Sequence, residues 1–247
     1  DLLNADAKAL SDIRGSLVSM VFQDPMTSFD PLFTIGYQIS ETIQTHGNTG
    51  KKAALAQARE LLAKVEIKHP DRVLKQYPHQ LSGGMLQRAM IAMALSCEPR
   101  LLIADEPTTA LDVTVQAQIL QLITDLQQET GMSLIIITHD LGVIAETVDR
   151  VVVMYGGKVM EIGDTLEIFE DPLNPYTKAL IESIPGREAG KRKLIEIPGS
   201  SPNALSPPSG CPFHPRFKLA DDKCASDAPN LSTFGKNRSA ACWKVVQ

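Results

Sequence analysis

The stretch Leu101-Leu102-Ile103-Ala104-Asp105-Glu106-Pro107 decides the fold that this chain is expected to adopt. Four apolar residues lead into two adjacent carboxylates, and a proline then ends the run. A short apolar run that stops at such a residue is typical of a buried strand in a parallel sheet. Ligands of these sheets bind at the carboxyl ends of the strands. The stretch therefore predicts an α/β fold with a candidate site at Asp105 and Glu106.

The two carboxylates suit different parts of one reaction. Buried acids cost free energy unless a cation or a chemical step uses them. Asp105 can ligate Mg²⁺ directly or through a bound water, whereas Glu106 can orient and deprotonate an attacking water. On these residues alone, an acidic turn after an ordinary core strand explains the pattern equally well.

Two further strands are predicted, and each ends in polar side chains. Residues 17–22 form an apolar run that ends at Gln23, and residues 134–137 form another that ends shortly before His139. Residues 113–128 carry apolar side chains at helical spacing, and Gly131 ends that helix. Alternation of strand and helix predicts a parallel sheet. An exposed glutamine and a structural histidine remain the alternatives at the two strand ends.

A second informative stretch is Leu81-Ser82-Gly83-Gly84-Met85-Leu86-Gln87-Arg88. Ser82 is a predicted N-cap, and the two glycines open a long helix. Bare backbone amides at a helix N-terminus favour anions. The alternative is a glycine-containing turn into a core helix, but this helix leads directly into the acidic strand.

The composition argues against two classes of protein, general nucleic-acid binders and membrane-spanning chains. The chain has 247 residues, of which 43% are hydrophobic, and its net charge is −5. This length predicts one large domain, or one domain with an extension. The acidic balance argues against a general nucleic-acid binder. No apolar run approaches the roughly 20 residues that span a bilayer.

Together these motifs resemble those of the ATP-binding subunits of ABC transporters. Residues 81–88 are similar to the family signature, residues 101–106 to Walker B with the catalytic glutamate, and residues 109–112 to the D-loop. Gln23 and His139 match the Q-loop glutamine and the switch histidine. A narrower similarity, to the oligopeptide/dipeptide importer branch, rests on residues 21–28, 105–116, 174–177 and 210–216. Nickel importers share much of this pattern.

The resemblance implies a P-loop NTPase (RecA-like) ABC ATPase core with an inserted α-helical subdomain and a C-terminal extension. The implied ranges are 1–36 and 99–165 for the core, 37–98 for the helical signature subdomain, and 166–247 for the extension. The sequence departs from the family because it contains no GxxxxGK[ST] phosphate loop. The core is therefore expected to be N-terminally incomplete, with an exposed sheet edge.

The resemblance also implies ATP and Mg²⁺ as cofactors and assigns roles to individual residues. Ser82, Gly83 and Gly84 would donate hydrogen bonds to the γ-phosphate of ATP held by a partner subunit. Asp105 would anchor Mg²⁺, Glu106 would polarise water and His139 would contact the γ-phosphate. The remaining implied residues are Gln23 for Mg²⁺ and water, Gln87 for nucleotide contact and Asp112 for dimer alignment.

The implied function is ATP-driven import of oligopeptides or dipeptides at the cytoplasmic face of the membrane. The implied partners are a second ABC ATPase subunit, identical or not, transmembrane permease subunits and, indirectly, an extracytoplasmic substrate-binding protein; no nucleic acid is expected. Three alternatives stay open: a non-hydrolysing fragment or degenerate partner, an importer of nickel or another cargo, and a non-transport ABC protein. The acidic balance and the importer-like tail disfavour the last.

The tail carries three of the four cysteines, Cys211, Cys224 and Cys242. Members of the importer branch usually have a fourth cysteine there, and some resemble iron–sulfur proteins. In this chain that position is Phe217. The three cysteines are therefore candidate ligands of an iron–sulfur cluster, and free thiols in a reducing compartment are the alternative.

Overall fold

The computed structural model describes residues 2–47, 49–109, 111–184 and 196–245. The chain separates into two compact units, Asp1–His139 and Asp140–Gln247. The three ranges expected from the resemblance divide the chain differently, and that division stays a prediction. No helix within the described ranges combines the length and the apolarity that crossing a bilayer requires.

Unit 1 is built on a parallel sheet, as the sequence predicts. Its strands are β1 (Val18–Val21), β2 (Leu101–Asp105) and β3 (Ser133–Ile137), in the order β1-β2-β3. Each pair is parallel, so all three strands end at the same edge of the sheet. Gln23, the Asp105-Glu106 pair and His139 all follow directly after that edge.

Unit 1 has seven α-helices within the described residues. They are α1 (Ala7–Ile13), α2 (Pro25–Ser28), α3 (Ile35–His46), α4 (Lys51–Lys64), α5 (Pro70–Val73), α6 (Gly83–Ala94) and α7 (Val113–Thr130). Helices α3 to α7 lie in the regions of predicted helical spacing, and α1 was not predicted. The two prolines at 25 and 31 indicate a loop over residues 26–31, but a short helix begins at Pro25 because the Asp24 side chain caps it and proline suits the first helical position.

The core of unit 1 joins the helices that follow β1 to the sheet itself. Ile39 of α3, Leu62 of α4 and Ile91 of α6 are fully buried in one cluster with Leu102 of β2 and Ile119 of α7. Burying such side chains contributes about 1.5–3 kcal/mol each. The helix that starts with Ser82-Gly83-Gly84 is therefore fixed to the strand that carries Asp105.

Strand β3 is one of the two outer strands of this sheet within the described residues. Ile135 and Ile137 on it are 47% and 48% exposed. An outer strand with exposed β-branched side chains can pair with another chain. The edge expected from missing strands stays a prediction.

We expect Ile135→Lys to reduce association of the purified chain, because lysine on an outer strand disfavours edge-to-edge pairing. Static light scattering at increasing protein concentration measures the effect, which should be a several-fold lower aggregated fraction. Leu205→Lys is the control, since Leu205 is 94% exposed but lies outside any strand. Equal scattering by the two variants would show that the β3 edge does not drive association.

Unit 2 contains an antiparallel sheet with the order β4-β5-β7-β6. Apolar residues on both sides of Gly156-Gly157 predict a pair of strands around a glycine turn. The structure confirms it: β4 (Arg150–Tyr155) and β5 (Lys158–Asp164) are joined by Gly156-Gly157, both at positive φ. The strands β6 (Ser232–Phe234) and β7 (Arg238–Ala240) come from the tail and were not predicted. The helices of the unit are α8 (Leu141–Thr147), α9 (Thr165–Glu170), α10 (Pro175–Glu182) and α11 (Asp222–Ser226).

A buried carboxylate ties the tail to the hairpin in unit 2. Glu161 of β5 is fully buried and accepts hydrogen bonds from the backbone amides of Leu173 (2.8 Å) and Asn174 (2.9 Å). Arg238 of β7 donates to the same carboxylate at 3.2 Å. The Asn174 amide donates in turn to the carbonyl oxygen of Ala241, at 2.9 Å. These bonds explain why β7 joins β5.

Candidate functional site

The Glu106 carboxylate lies at the centre of a hydrogen-bonded group in unit 1. Its Oε2 atom accepts from Gln23 Nε2 at 2.9 Å and from Thr109 Oγ1 at 2.7 Å. Its Oε1 atom lies 3.1 Å from His139 Nδ1. The structure therefore brings together three of the predicted residues, Gln23, Glu106 and His139, which are far apart in the sequence.

The backbone of Glu106 is strained. Its φ of 43° lies in the left-handed region, which a residue with a side chain rarely adopts. Such a conformation costs on the order of 1–3 kcal/mol and persists where surrounding contacts over-determine it. The Glu106 amide donates to the Ile137 carbonyl oxygen at 2.8 Å, which continues the sheet pairing one residue beyond β2. The strain aims the carboxylate at the neighbouring strand end.

The hydrogen bonds keep the Glu106 carboxyl ionised. The bond from Thr109 lowers its pKa most, followed by the bond from His139, although partial burial opposes both. A carboxylate only accepts hydrogen bonds, so the Nδ1 atom of His139 must carry the proton in this contact. The His139 side chain is 79% exposed, so its Nε2 atom is open to a ligand.

Asp105 precedes this group and is available to a cation. Its side chain is half-buried and, within the described residues, has no hydrogen-bond or ion-pair partner. An unpaired carboxylate at a strand end fits Mg²⁺, which binds one or two protein oxygens and keeps several waters. The amide oxygen of Gln23 is the second candidate ligand, because its nitrogen already faces Glu106.

The stretch that opens α6 exposes its backbone, as predicted. Ser82 caps the helix, accepting from the Met85 amide at 3.4 Å, and both Ser82 and Gly83 are exposed. A Cβ atom on Gly84 would lie 2.9 Å from Val115 Cγ1, so a glycine is needed for this approach to α7. The helix start thus offers amides to an anion from a tightly fixed position.

Gln87 is buried, which the sequence did not indicate. The residue is 2% exposed, and its Nε2 atom donates to the Pro107 carbonyl oxygen at 2.7 Å. Its amide is therefore used within the chain, and its predicted nucleotide contact stays a prediction. The sequence places Gln87 one turn along the helix but cannot show that it faces inward.

Thr109 is the residue of this group that the sequence analysis missed. Its hydroxyl makes the shortest bond to Glu106. A threonine in a polar turn carries no signal of this role. The sequence shows only that Thr109 lies three residues after an acidic residue. The contact itself depends on the left-handed backbone of Glu106.

Asp112 caps helix α7, because its side chain accepts from the Val115 amide at 3.0 Å. The residue is exposed. Its carboxylate is therefore used within the chain, and its predicted part in aligning a dimer stays a prediction.

We expect Asp112→Ala to lower the free energy of unfolding by about 1 kcal/mol, because one amide of α7 loses its acceptor. Asp112→Asn keeps a side-chain oxygen and should be nearly neutral. Urea unfolding followed by circular dichroism measures both variants. A loss of equal size in the two would indicate that charge, rather than capping, is what matters.

The three tail cysteines share one cavity in unit 2. Cys211, Cys224 and Cys242 line it together with His214 and Phe217. Burial raises the pKa of the Cys211 and Cys242 thiols. No three His, Cys, Asp or Glu side chains among the described residues are close enough to bind a single metal ion.

Comparison with known families agrees with both halves of this description. Residues 3–109 match the family described as "ABC transporter". Residues 160–224 match the "Oligopeptide/dipeptide transporter, C-terminal region". The first range contains the carboxylate pair and the glycine-led helix, and the second contains two of the tail cysteines.

The chain is also similar to curated proteins over almost its whole length. It is 49% identical to the probable peptide ABC transporter ATP-binding protein y4tR of Sinorhizobium fredii, over 99% of this chain and 73% of that protein. It is 50% identical to the oligopeptide transport ATP-binding protein AppD of Bacillus subtilis, over 98% and 74%. The dipeptide transport ATP-binding protein DppD of Escherichia coli is 46% identical, over 98% and 74%.

Solved structures show the same fold. The dimeric ATP-binding cassette MJ0796, in a post-hydrolysis state with ADP and Pi, aligns with a TM-score of 0.58 at 30% identity, covering 66% of this chain and 68% of that one. CbiO1 of Clostridium perfringens, part of an ABC transporter complex, aligns with a TM-score of 0.59 at 30% identity, over 67% and 64%. The chain belongs to the ATP-binding subunits of ABC transporters, in the branch that carries the oligopeptide/dipeptide C-terminal region.

Proposed function

We propose that this subunit hydrolyses ATP to power the import of oligopeptides or dipeptides. ATP and Mg²⁺ are the cofactors that membership of the ABC ATPase family entails. The observation that carries the proposal is the Glu106 carboxylate, bonded to Gln23, Thr109 and His139 beside the free carboxylate of Asp105. Peptide as the cargo is supported by the names of the similar proteins.

The residues present suit phosphoryl transfer to water, which depends mainly on positioning and on neutralising charge. Asp105 and the Gln23 amide oxygen would hold Mg²⁺, which supplies charge to the phosphates. Glu106 accepts two side-chain hydrogen bonds at Oε2 and one at Oε1. A carboxylate has about four acceptor sites, so Oε1 can accept one more hydrogen bond, from a water.

His139 is the second catalytic residue in this proposal. Its Nδ1 atom faces Glu106, so a hydrogen bond to a phosphate oxygen must come from Nε2. An imidazole that donates from both nitrogens is cationic. His139 would therefore bring a positive charge to the γ-phosphate while its other face stays on the carboxylate.

A second ABC ATPase subunit would complete the site. The exposed amides at the start of α6 face away from the chain's own fold and suit a phosphate held by that partner. The dimeric structure of the similar cassette MJ0796 supports such an arrangement. The partner would be a second copy of this chain in a homodimer or a different ATP-binding subunit in a heterodimer.

Transmembrane permease subunits are the proposed membrane anchor, and a substrate-binding protein outside the membrane would deliver the cargo to them. Large apolar side chains are exposed on both sides of Gln23, and they support docking to such a partner. They are Phe22 (50% exposed), Met26 (49%), Leu32 (77%) and Phe33 (43%). Through this contact the subunit would lie peripherally at the cytoplasmic face.

Reconstitution tests the proposal. We expect the complete transporter in vesicles to hydrolyse ATP several-fold faster when peptide and its binding protein are present, and the subunit to reach the membrane fraction only with the permeases. Stimulation by nickel instead of peptide would assign the other cargo. If the permeases are omitted and the subunit keeps both its stimulated ATPase activity and its membrane binding, the proposal is contradicted.

The tail cysteines are candidate ligands of an iron–sulfur cluster because the three thiols line one cavity, although among the described residues no three such side chains lie close enough to share one metal ion, and free thiols are the alternative. Because Phe217 stacks on Phe213 at 6.4 Å where a fourth thiol is expected, the cysteines alone do not complete a four-ligand set. Iron and sulfide analysis of anaerobically purified protein, with Cys224→Ser as the control, tests this. Iron-free protein would leave the cysteines as thiols.

A further inference from the structure

The turn from Glu106 to Thr109 is fastened to helix α6 by the side chain of Gln87. The Gln87 Nε2 atom donates to the Pro107 carbonyl oxygen at 2.7 Å. Both residues are buried. Water therefore cannot replace this donor if it is lost, and a buried acceptor would be left without a partner.

The same turn presents the Thr109 hydroxyl to the carboxylate of Glu106. The Thr109 amide donates to the Glu106 carbonyl oxygen at 3.1 Å, and the Thr109 hydroxyl donates to Glu106 Oε2 at 2.7 Å. The Glu106 amide is anchored on Ile137 of β3 at 2.8 Å. The left-handed backbone of Glu106 is thus held at the sheet on one side and, through Pro107, by Gln87 on the other.

The start of α6 touches the segment after the turn as well. A Cβ atom on Gly84 would lie 2.9 Å from Val115 Cγ1, and one on Gly83 would lie 3.6 Å from Leu111 Cδ2. Gly84 and Gln87 are three residues apart and therefore lie on the same side of the helix. A displacement of the helix start would therefore meet Val115 at Gly84 and would pull on the Pro107 carbonyl through the Gln87 hydrogen bond.

We infer that Gln87 is a positioning residue that couples the start of helix α6 to the Glu106 carboxylate through the Pro107 carbonyl and the Thr109 hydroxyl. The last step of the inference rests on the proposed function. If a partner's ATP contacts Ser82 and Gly83, the coupling transmits that contact to the carboxylate that acts on this chain's own nucleotide. The two nucleotide sites of a dimer are then linked through each subunit.

The first test needs no nucleotide, so it is independent of the proposed function. Gln87→Met keeps the length of the side chain and removes the donor. In the full chain we expect the amide hydrogen exchange of Thr109, followed by NMR, to become about tenfold faster. Exchange at Ile91 in the buried part of α6 should change little. Gln121→Met is the matched control, because Gln121 is exposed and bonded only to Asp125 within the described residues.

Two outcomes of this test would overturn the inference. One is unchanged exchange at Thr109 in Gln87→Met. The other is equal acceleration at Thr109 and Ile91, because it would mean that the glutamine stabilises the unit as a whole. If Gln87→Met does not fold, the variants Thr109→Val and Thr109→Ser replace it in the test. Both should fold, because Thr109 is not fully buried. The ¹³C resonance of the Glu106 carboxyl at pH 7 should move in the valine variant and stay in place in the serine variant.

Kinetics provide the second test. We expect Thr109→Val to lower kcat for ATP by about tenfold at unchanged KM, and Thr109→Ser to restore it. Gln87→Met combined with Thr109→Val should be no slower than the slower single variant, because the two residues act along one path. Additive losses, or a serine variant as slow as the valine variant, would overturn the inference. Absence of turnover in the unchanged subunit would contradict the proposed function, and the exchange result would still decide the coupling.

Discussion

Glu106→Gln is expected to leave ATP binding intact and to lower the rate of ATP hydrolysis by about 10²–10⁴-fold, the range that a positioned general base contributes. Glutamine has nearly the same shape but cannot take a proton from water. Its amide oxygen can still accept the bonds from Gln23 and Thr109, because both reach the same oxygen of Glu106, and its nitrogen would then face His139. Single-turnover hydrolysis and nucleotide binding, measured on the same preparation of the assembled subunit, separate the two effects.

Glu60→Gln is the matched control for this substitution, because Glu60 is exposed on α4 and far from the strand ends in sequence. It should hydrolyse ATP at the unchanged rate. Near-normal turnover in Glu106→Gln would refute the catalytic role. A parallel loss of ATP binding would instead indicate that the carboxylate holds the nucleotide site together.

Glu161→Ala is expected to destabilise unit 2 by about 3–5 kcal/mol, the cost of removing one partner of a buried ion pair. Glu161 is fully buried and Arg238 is 11% exposed, so the arginine would lose its buried partner and keep only the exposed carboxylate of Asp171. The amides of Leu173 and Asn174 would also lose their acceptor. We expect β7 to separate from β5 as a consequence.

The fluorescence of Trp243 measures this loss, because it is the only tryptophan of the chain and lies in unit 2. Its indole nitrogen donates to the Asp227 carbonyl oxygen at 2.9 Å, so the emission should report whether the tail is folded. Glu170→Ala is the control and should change the free energy of unfolding by less than about 0.5 kcal/mol, as exposed substitutions do. An equally small change in Glu161→Ala would show that the pair is dispensable.

The three strands and the longer helices after β1 in unit 1 were predictable because each carries its own period. An apolar run that ends in polar residues is a buried strand, and apolar residues at helical spacing give α6 and α7. The short strands β6 and β7 were not predictable, since three residues carry no period and their place depends on Glu161 and Arg238. The short helix at Pro25 was missed because its signal is a single cap rather than a repeat.

The candidate site was predictable in part. Gln23, Asp105, Glu106 and His139 stand at strand ends, and parallel pairing brings strand ends together whatever the side chains are. The role of Thr109 and the buried position of Gln87 were not predictable. Both depend on one left-handed residue and on which side of α6 faces the sheet.

Fold class, family and the residue types of the reaction follow from the amino-acid sequence, because periodicity and motif spacing are local properties of the chain. The groups that hold the carboxylate of Glu106 become known from the folded chain, since hydrogen bonds form between side chains brought close by packing. A period fixes the face on which a residue lies, whereas distance and burial are fixed when the faces meet.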